Sequence, residues 1–255
     1  MNLVRALTLR RWLICSALLA VPHTLLAQNP PHWTYEGKEG PEEWGSLDST
    51  YATCSLGHTQ SPIDIKGVAS ADLPPLQFDY KSVPLNIIDN GHTIQVNYAV
   101  GSTLTVGGKV YTLKQFHFHH PSEEHINGHG YDMVAHLVHA DAEGHLAVVA
   151  VLLRKGSSNS FLEPIWKSIP QDKGKALDVP GLAVDVAELL PRDHGYYTFS
   201  GSLTTPPCSE GVTWYVLKQT SPISPAEIAA FAKLYPHNAR PTQPLNGRKL
   251  LSTKQ

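Results

Sequence analysis

The segment at residues 115–119, Gln-Phe-His-Phe-His, alternates polar and aromatic side chains. Successive side chains of a β-strand point to opposite faces, so a strand here places His117, His119 and Gln115 on one face. The two phenylalanines then point to the other face, where they can pack into a core. The alternation therefore predicts a sheet strand with one apolar side and one side that carries imidazoles, on which Gln115 is suited to hydrogen-bond a ligand histidine.

A third histidine, His136, lies in a second β-like run, Val-Ala-His-Leu-Val-His at residues 134–139. A hairpin around Asn127-Gly128 would bring it beside the first pair. Three neutral imidazoles suit Zn²⁺ and leave its fourth tetrahedral position open for water, as in catalytic sites, whereas four protein ligands are typical of structural sites. The same alternation directs His120 and His139 away from this group. A His-x-His pair alone is weak support for a metal site, because surface strands often carry two histidines.

Twenty prolines and 19 glycines are spread along the chain and divide it into many short segments. Helices are few: Ser224 and Glu227 form a capping box around Pro225 and predict a helix that ends at Pro236, and a second short helix is predicted at residues 160–168. Gly107-Gly108 and Asn127-Gly128 indicate turns between strands. The segments that predict strands, by alternation or by β-branched content, are residues 85–89, 93–100, 103–106, 134–139, 146–153 and 212–217. We expect one mostly β domain (α+β in some schemes) around a large sheet, with a few short peripheral helices.

The first 27 residues have the order of a secretory signal peptide, which predicts cleavage after Ala27 and a single domain at residues 28–255. Three arginines precede an apolar run at residues 12–20. A membrane anchor is the alternative, but a proline and a histidine interrupt the run well short of about 20 apolar residues. We therefore expect a periplasmic or secreted protein with no stable membrane anchor after cleavage.

Cysteine usage agrees with export, and the net charge argues against a nucleic-acid partner. The chain beyond residue 27 retains Cys54 and Cys208, and an even pair in an oxidising compartment favours a disulfide over two buried free thiols. The formal net charge of the chain is −2, and nothing in the sequence resembles the basic surface of a nucleic-acid-binding protein. No nucleic-acid partner is expected, and the sequence leaves the oligomeric state open, a homodimer included.

Taken together, the motifs resemble those of the alpha-type carbonic anhydrases, in their exported bacterial form, across nearly the whole chain after the signal peptide. The family's order and spacing are kept by Trp33-x-Tyr35, Gly40-Pro41-x-x-Trp44, Gln60-Ser61-Pro62-Ile63-Asp64-Ile65, Asn90-Gly91-His92, Gln115-Phe116-His117-Phe118-His119, Ser122-Glu123, His136-Leu137-Val138-His139 and Gly201-Ser202-Leu203-Thr204-Thr205-Pro206-Pro207. The resemblance implies the family's fold, a twisted, mostly antiparallel sheet of about ten strands.

The resemblance also implies the reaction, which is the reversible hydration of carbon dioxide to bicarbonate and a proton. The family's zinc ligands correspond to His117, His119 and His136, the three that strand alternation selects. In the family, hydroxide on the zinc attacks carbon dioxide held against an apolar wall. The positions that match this wall are Val138, Val148, Leu203, Val212 and Trp214.

Further roles follow from the same resemblance. Thr204 matches the residue that accepts a hydrogen bond from the hydroxide, Glu123 matches the carboxylate that accepts the threonine proton, and Thr205 matches a second hydroxyl at the bicarbonate site. His92 matches the proton shuttle; without the family match, a lone histidine after Asn-Gly would be read as an exposed turn residue. The positions that order the connecting water are matched by Tyr35, Asn90 and Gln95, and the family's disulfide by Cys54 and Cys208.

Two positions depart from the family pattern. A glutamate usually lies two residues before the third ligand and orients it, but this chain has Val134, which cannot accept a hydrogen bond. Glu124 stands where a histidine is usual, directly after Glu123. We therefore predict that Glu124 has taken over the missing acceptor and lies within about 3.2 Å of the non-metal nitrogen of His136. The alternative is a solvated loop charge, with a backbone carbonyl or a water serving His136.

Two rival functions are open to a chain with these motifs. A non-catalytic relative would bind zinc or a protein partner, but inactive members of the family generally lose ligand histidines, and all three are present here. A zinc hydrolase of ester or amide bonds would need an acid for the leaving group, and the sequence offers no candidate. Zinc-dependent hydration of carbon dioxide is the function that the sequence favours.

Overall fold

The computed structural model of the protein describes residues 31–254. The predicted signal peptide at residues 1–27 lies outside the described residues. The α-helices are α1 (Trp44–Leu47), α2 (Thr53–Leu56), α3 (Leu162–Lys167) and α4 (Pro225–Ala232), and 3-10 helices lie at Gly37–Glu39, Ser49–Tyr51 and Val186–Leu189. The strands are β1 (Asp64–Ile65), β2 (Ala69–Ala71), β3 (Gln77–Asp79), β4 (Val83–Asp89), β5 (Ile94–Asn97), β6 (Thr103–Val106), β7 (Lys109–His119), β8 (His125–Ile126), β9 (Met133–Ala140), β10 (Leu146–Lys155), β11 (Ala176–Val184), β12 (Tyr196–Ser202), β13 (Glu210–Leu217), β14 (Ser221–Ile223) and β15 (Leu251–Thr253).

Within the described residues, one 13-stranded sheet dominates the fold. Its main path follows the order β11-β4-β5-β7-β9-β10-β13-β12-β15-β2, and β3, β6 and β14 attach to it. Neighbours on this path are antiparallel except for β10–β13 and β15–β2. A separate parallel pair joins β1 to β8, and β8 lies within the connection between β7 and β9. The predicted mostly β fold with a large, mostly antiparallel sheet is confirmed.

The two faces of the sheet separate the core from the functional groups, as the alternation of residues 115–119 predicts. Phe116 and Phe118 are fully buried in the main hydrophobic cluster, together with Leu137 of β9 and Val149 of β10. Full burial of one such side chain contributes roughly 1.5–3 kcal/mol. A second apolar cluster, which includes Val134, lies on the opposite face. Strands β7 and β9 are therefore fixed in rotation by apolar side chains on both sides.

The predicted helix at Ser224 forms, but it is shorter than expected. Ser224 Oγ accepts a hydrogen bond from the Glu227 backbone N–H, and the Glu227 carboxylate accepts one from the Ser224 backbone N–H, which completes the capping box. The helix ends at Ala232, followed by a turn in which the Tyr235 N–H still donates to the Phe231 carbonyl. The residue before a proline avoids the helical conformation. The helix therefore ends ahead of Pro236 and does not extend up to it.

The predicted turns also occur. Gly107 and Gly108, with φ of 57° and 82°, connect β6 to β7. Asn127 and Gly128, with φ of 51° and 80°, close a tight turn between Ile126 and His129. Both residues of such a turn need positive φ, which Asn-Gly tolerates. The turn lies inside the connection from β7 to β9, so the chain reverses direction and returns beside β7.

Candidate active site

Strand register brings the three histidines together on one face of the sheet. His117 on β7 pairs with His136 on β9, and on its other side it pairs with Gln95 on β5. His119 lies two residues further along β7 and shares this face. The ring centroids of the three histidines are 4.7, 5.0 and 5.5 Å apart. One ring nitrogen from each lies within 4.8 Å of those of the other two.

The outer ring nitrogens of the two β7 histidines have acceptors. His119 Nδ1 lies 2.7 Å from the backbone carbonyl of Asn238. A carbonyl can only accept, so Nδ1 carries the proton and Nε2 keeps its lone pair. His117 Nδ1 lies 2.8 Å from Gln115 Oε1, the side chain on the same strand face. Both Nε2 atoms are therefore unprotonated, and their lone pairs are available to bind a metal ion.

Two buried polar atoms at the centre of this group lack a hydrogen-bond partner among residues 31–254, namely His119 Nε2 and Glu123 Oε2. They lie 3.5 Å apart. Burial lowers the pKa of His117 to about 3 and also lowers that of His119, and the charge on His136 acts in the same direction. Both rings are therefore neutral near pH 7, which is the form that binds a metal. An unpartnered, buried nitrogen in a set of three imidazoles fits a zinc ion.

Glu123 is held beside the histidines by the backbone. Its Oε1 accepts a hydrogen bond of 2.8 Å from the Arg240 N–H. Burial raises the pKa of the Glu123 carboxyl to about 7, and the charge of Glu124 adds to this rise. His136, the Arg240 N–H and the Thr204 side chain act in the opposite direction. The carboxylate is thus fixed between His119, His136 and Thr204.

Glu124 lies on the outer side of His136. Its Oε1 and Oε2 are 3.0 and 3.2 Å from His136 Nε2, and both residues are buried. The first distance lies within the expected limit for the missing acceptor. Burial acts to lower the pKa of His136, but the charge and hydrogen bond of Glu124, with the charge of Glu123, raise it. The nitrogen that His136 turns toward Glu123 is Nδ1, 3.8 Å from Oε2.

A cavity of about 130 Å³ opens beside these residues. Two residues of the histidine group, His117 and His119, line it together with Thr205. Asn90 Nδ2 donates a hydrogen bond of 3.5 Å to Gln95 Oε1, and both residues line the cavity. The residues that line it are Trp33, Tyr35, Asn90, His92, Thr93, Gln95, Gln115, His117, His119 and Thr205. The polar positions selected for proton-path water thus share one space with two candidate ligands.

His92 lies on the wall of this cavity and is half-buried. Its ring stacks on Trp33, with centroids 3.6 Å apart and an angle of 7° between the planes. Burial lowers the pKa of His92, as do the charges of His32 and Lys173, whereas Asp89 raises it. The residue is therefore neither a fully exposed turn side chain nor a core histidine.

The five residues selected as an apolar wall share one cluster. Val148 on β10 pairs with Val138 on β9 and with Trp214 on β13, so these three form a row across neighbouring strands. Trp214 packs edge-on to His136, with ring centroids 4.9 Å apart. Val212 and Leu203 belong to the same cluster. Val138 lies two residues after His136 on β9 and therefore on the same face of the sheet. The apolar row thus lies next to the histidines.

Cys54 and Cys208 form a disulfide that joins segments 154 residues apart. Both cysteines are buried in a small cluster with Trp44 and Tyr51. The Cys208 N–H donates to the Thr205 carbonyl at 2.8 Å, so the bridge lies next to the loop that carries the threonines. A larger cavity, about 610 Å³, also lies here, and none of the three histidines lines it.

A second group of possible metal ligands follows β9, formed by Asp141, Glu143 and His145. Lys109 Nζ lies 2.6 Å from Asp141 Oδ2, and His145 Nδ1 lies 2.9 Å from the same oxygen. The ammonium already neutralises the buried carboxylate. This group therefore has no need of a metal ion.

Sequence reasoning missed Asn238 and Arg240, which shape the site, and it noted Trp33 only as part of a family motif. Asn238 and Arg240 are almost fully buried, at 0% and 2% exposure, in a loop without regular structure. Arg240 Nη1 donates to Gln60 Oε1 and the Ser61 carbonyl, and Nη2 donates to the Cys54 carbonyl. A charged residue between prolines was a weak signal in the sequence, and it did not indicate burial.

No helix among residues 31–254 is long and apolar enough to cross a membrane.

Comparisons with known proteins agree with this geometry. Residues 39–254 match the protein family described as eukaryotic-type carbonic anhydrase. A carbonic anhydrase of Neisseria gonorrhoeae is 45% identical over 242 residues, which cover 94% of this chain and 93% of that protein. A solved hyperthermostable carbonic anhydrase identified from an active hydrothermal vent chimney has a TM-score of 0.85 and 43% identity, covering 88% of this chain and 100% of that chain. The alpha-carbonic anhydrase of Thermovibrio ammonificans, solved with the inhibitor sulfanilamide, has a TM-score of 0.84 and 41% identity, with the same coverage.

Proposed function

The chain belongs to the eukaryotic-type (alpha) carbonic anhydrase family, and on that premise we propose that it catalyses the reversible hydration of carbon dioxide to bicarbonate and a proton. We further propose that His117, His119 and His136 hold a zinc ion. The observation that carries this proposal is the buried, unpartnered His119 Nε2 within a set of three imidazole nitrogens that lie within 4.8 Å of one another. When bound, zinc supplies Lewis acidity that makes hydroxide available near neutral pH, an effect for which carbonic anhydrase is itself the standard example.

The acceptors behind His117 and His119 determine which ring nitrogen carries the proton. The Asn238 carbonyl and the Gln115 side chain take the Nδ1 protons of His119 and His117, so the Nε2 lone pairs face inward. These two nitrogens would hold a zinc ion as uncharged ligands, with His136 as the third ligand, and a fourth position would remain for the reactant. The chain thus supplies orientation and neutral ligands.

Glu123 and Thr204 control which reactant the site accepts. Glu123 Oε1 receives the Arg240 N–H, and its Oε2, unpartnered within residues 31–254, is left to accept the hydroxyl proton of Thr204, whose side chain acts to lower the pKa of the carboxyl. A threonine whose hydroxyl proton is committed to a carboxylate can only accept from the reactant. The pair therefore favours a reactant that still carries a proton, and Thr205 supplies a second hydroxyl in the adjoining cavity.

The apolar row of Val138, Val148 and Trp214 suits carbon dioxide, an uncharged molecule that gains little from hydrogen bonds. Leu203 and Val212 extend the same surface. An apolar wall beside the zinc ligands lowers the local water content and holds the substrate near the reacting centre. Bicarbonate, which is charged, binds such a wall poorly and leaves.

Each hydration releases a proton, and His92 is the residue we assign to its export. It lines the same cavity as His117 and His119, it is half-buried, and histidine is the side chain whose unperturbed pKa lies close to neutral pH, as a proton carrier needs. Tyr35, Asn90 and Gln95 line the same cavity and offer hydrogen bonds to the water between the centre and His92.

We also propose that the protein is exported to the periplasm or secreted. The Cys54–Cys208 disulfide supports this location, because such bonds persist in oxidising compartments. The sequence of the first 27 residues supports it independently. Cell fractionation with a tag at the carboxyl end tests it, and retention of the full-length chain in the cytoplasm would contradict it.

The direct test is stopped-flow hydration of carbon dioxide by the purified chain that begins at Gln28, with metal analysis of the same sample. We expect one zinc ion per chain, and loss of activity on chelation that added zinc reverses. His117→Ala, His119→Ala and His136→Ala should each lose both zinc and activity. His129→Ala, which changes an exposed histidine, is the matched control. A full zinc equivalent in all three ligand variants would overturn the assignment.

A further inference from the structure

We infer that Glu124 is a positioning residue that orients His136 from the loop after β7 and thereby sets how tightly the site holds zinc. The inference rests on the proposed function, because it concerns the same three ligands. It adds a residue outside the ligand set and outside the groups that would contact the reactant. The observations that carry it are the contact at His136 Nε2, the fixed loop, and the apolar residue at position 134.

The contact has the distances of a hydrogen bond between an imidazole and a carboxylate. Glu124 Oε1 and Oε2 lie 3.0 and 3.2 Å from His136 Nε2, and the two residues are 0% and 1% exposed. A carboxylate in such a pair accepts the ring proton at Nε2 and leaves the lone pair on Nδ1. Metal-binding histidines almost always have an acceptor of this kind behind them, and its loss weakens metal binding.

Glu124 and Glu123 approach His136 from different sides although they are consecutive in sequence. Glu123 Oε2 lies 3.8 Å from His136 Nδ1, whereas Glu124 lies at Nε2. Consecutive residues of a strand would point to opposite faces of the sheet. The segment between β7 and β8 is not a strand, so both carboxylates can reach one imidazole.

Hydrogen bonds on both sides of Glu124 hold its loop in place. Ser122 Oγ donates to the Glu124 carbonyl at 2.9 Å, and the Tyr131 N–H donates to Ser122 Oγ at 2.8 Å. The next residue, His125, donates its N–H to the Ile63 carbonyl at 3.3 Å and starts the short parallel pair with β1. A carboxylate on so constrained a backbone keeps one position, as the orientation of a ligand requires.

Val134 is the residue on β9 that would otherwise support His136. It lies two positions before the histidine, so both side chains point to the same face, and it is 0% exposed within the second apolar cluster. A valine offers no acceptor for Nε2. The acceptor at this ligand is thus supplied by the loop and not by the strand.

The first test measures zinc affinity by competition with a chelator, using the apo forms of the full chain after residue 27. Glu124→Ala should bind zinc about 10–100-fold more weakly. Glu124→Gln should lose less, because its amide oxygen still accepts a hydrogen bond. Glu188→Gln, at an exposed carboxylate, is the control and should bind as wild type does. Unchanged affinity in Glu124→Gln and Glu124→Ala overturns the inference.

The second test separates orientation from a purely structural role. In the double variant Glu124→Ala/Val134→Glu, a carboxylate returns from the strand side as volume is removed from the loop side. We expect it to recover at least about tenfold of the lost zinc affinity. The cobalt-substituted forms should show the same order, with the visible spectrum disturbed in Glu124→Ala and restored in the double variant. A merely structural Glu124 predicts no recovery and no spectral change, and either finding counts against orientation.

The two proposals fail in different ways. Wild-type protein without stoichiometric zinc or hydration activity would contradict the proposed function. Wild-type protein with both, alongside a Glu124→Ala variant that binds zinc equally well, would contradict only the role of Glu124. If Glu124→Ala does not fold, as judged by circular dichroism, Glu124→Gln becomes the test: loss of the carboxylate charge alone should still weaken zinc binding measurably, and affinity equal to that of wild type would overturn the inference.

Discussion

Removal of the Cys54–Cys208 disulfide should cost much stability and little catalysis. The bond closes a loop of 154 residues, for which the chain-entropy relation gives a stabilisation of about 5 kcal/mol. In a chain of this length each kcal/mol shifts the unfolding temperature by about 2–4 °C, so the variant should melt about 10–20 °C lower. The entropic relation gives an upper figure, because a reduced chain retains some compact structure when unfolded.

Catalysis should survive because other contacts hold the same segments. Arg240 Nη2 donates to the Cys54 carbonyl at 2.9 Å, and Gln60 Nε2 donates to the Cys208 carbonyl at 3.1 Å. These bonds keep the loop of Thr204 and Thr205 near its place at moderate temperature. The hydration rate at 25 °C should therefore stay close to that of wild type, although the unfolding temperature falls.

The assay is guanidinium unfolding of wild type and of Cys54→Ala/Cys208→Ala, each with and without a reductant. Reductant should shift the wild-type midpoint toward that of the variant and leave the variant unmoved, which makes the variant its own control. A loss below about 1 kcal/mol, or two titratable thiols in the native, air-oxidised protein, would refute the reasoning. An equal loss of activity and stability at 25 °C would contradict the part that concerns catalysis.

Three further predictions concern histidines. His92→Ala should slow turnover by about 10²-fold in dilute buffer and recover in imidazole buffer; wild-type rates in dilute buffer would exclude a shuttle role. Burial lowers the pKa of His139 to about 4, so the unfolded chain takes up a proton below about pH 6.5 while the native state does not. Native stability should fall by about 2–3 kcal/mol between pH 7.5 and 4.5, and a His139→Asn variant with an equal fall would show that another group is responsible. Gln115→Ala should weaken zinc binding through His117, and chelator competition with unchanged affinity would contradict it.

Local alternation was sufficient to predict which histidines meet. The spacing of His117 and His119 fixes their common face, and the pairing of His117 with His136 follows once β7 and β9 are neighbours. Side-chain direction in a strand repeats every two residues, so a short pattern of polar and apolar residues determines which side chains share a face of the sheet. The same logic correctly separated His139, which lies on the core side beside Tyr80, with His139 Nε2 and the Tyr80 hydroxyl 2.8 Å apart.

Glu124 marks the limit of that reasoning. Its contact with His136 was predicted from a missing acceptor at Val134, and alternation could not supply the answer because the residue lies in a loop. A loop residue has no fixed direction in sequence, since its orientation depends on bonds such as that from Ser122 Oγ to the Glu124 carbonyl. Chemical need identified the candidate, and tertiary structure determined the distance.

Asn238 lies beyond both kinds of inference. Its carbonyl accepts from His119 Nδ1, its amide Nδ2 donates at 3.0 Å to the carbonyls of His92 and Phe118, and its Oδ1 accepts from the His120 N–H. One buried residue thus ties the end of β7 to the turn that carries His92, across 119 and 146 residues of sequence. Strand alternation determines the face on which an imidazole lies, but rotation of the ring is set by whatever accepts its outer proton. The candidate ligands are therefore local in sequence, whereas the ring orientation that would suit them to a metal ion depends on contacts that only the folded chain forms.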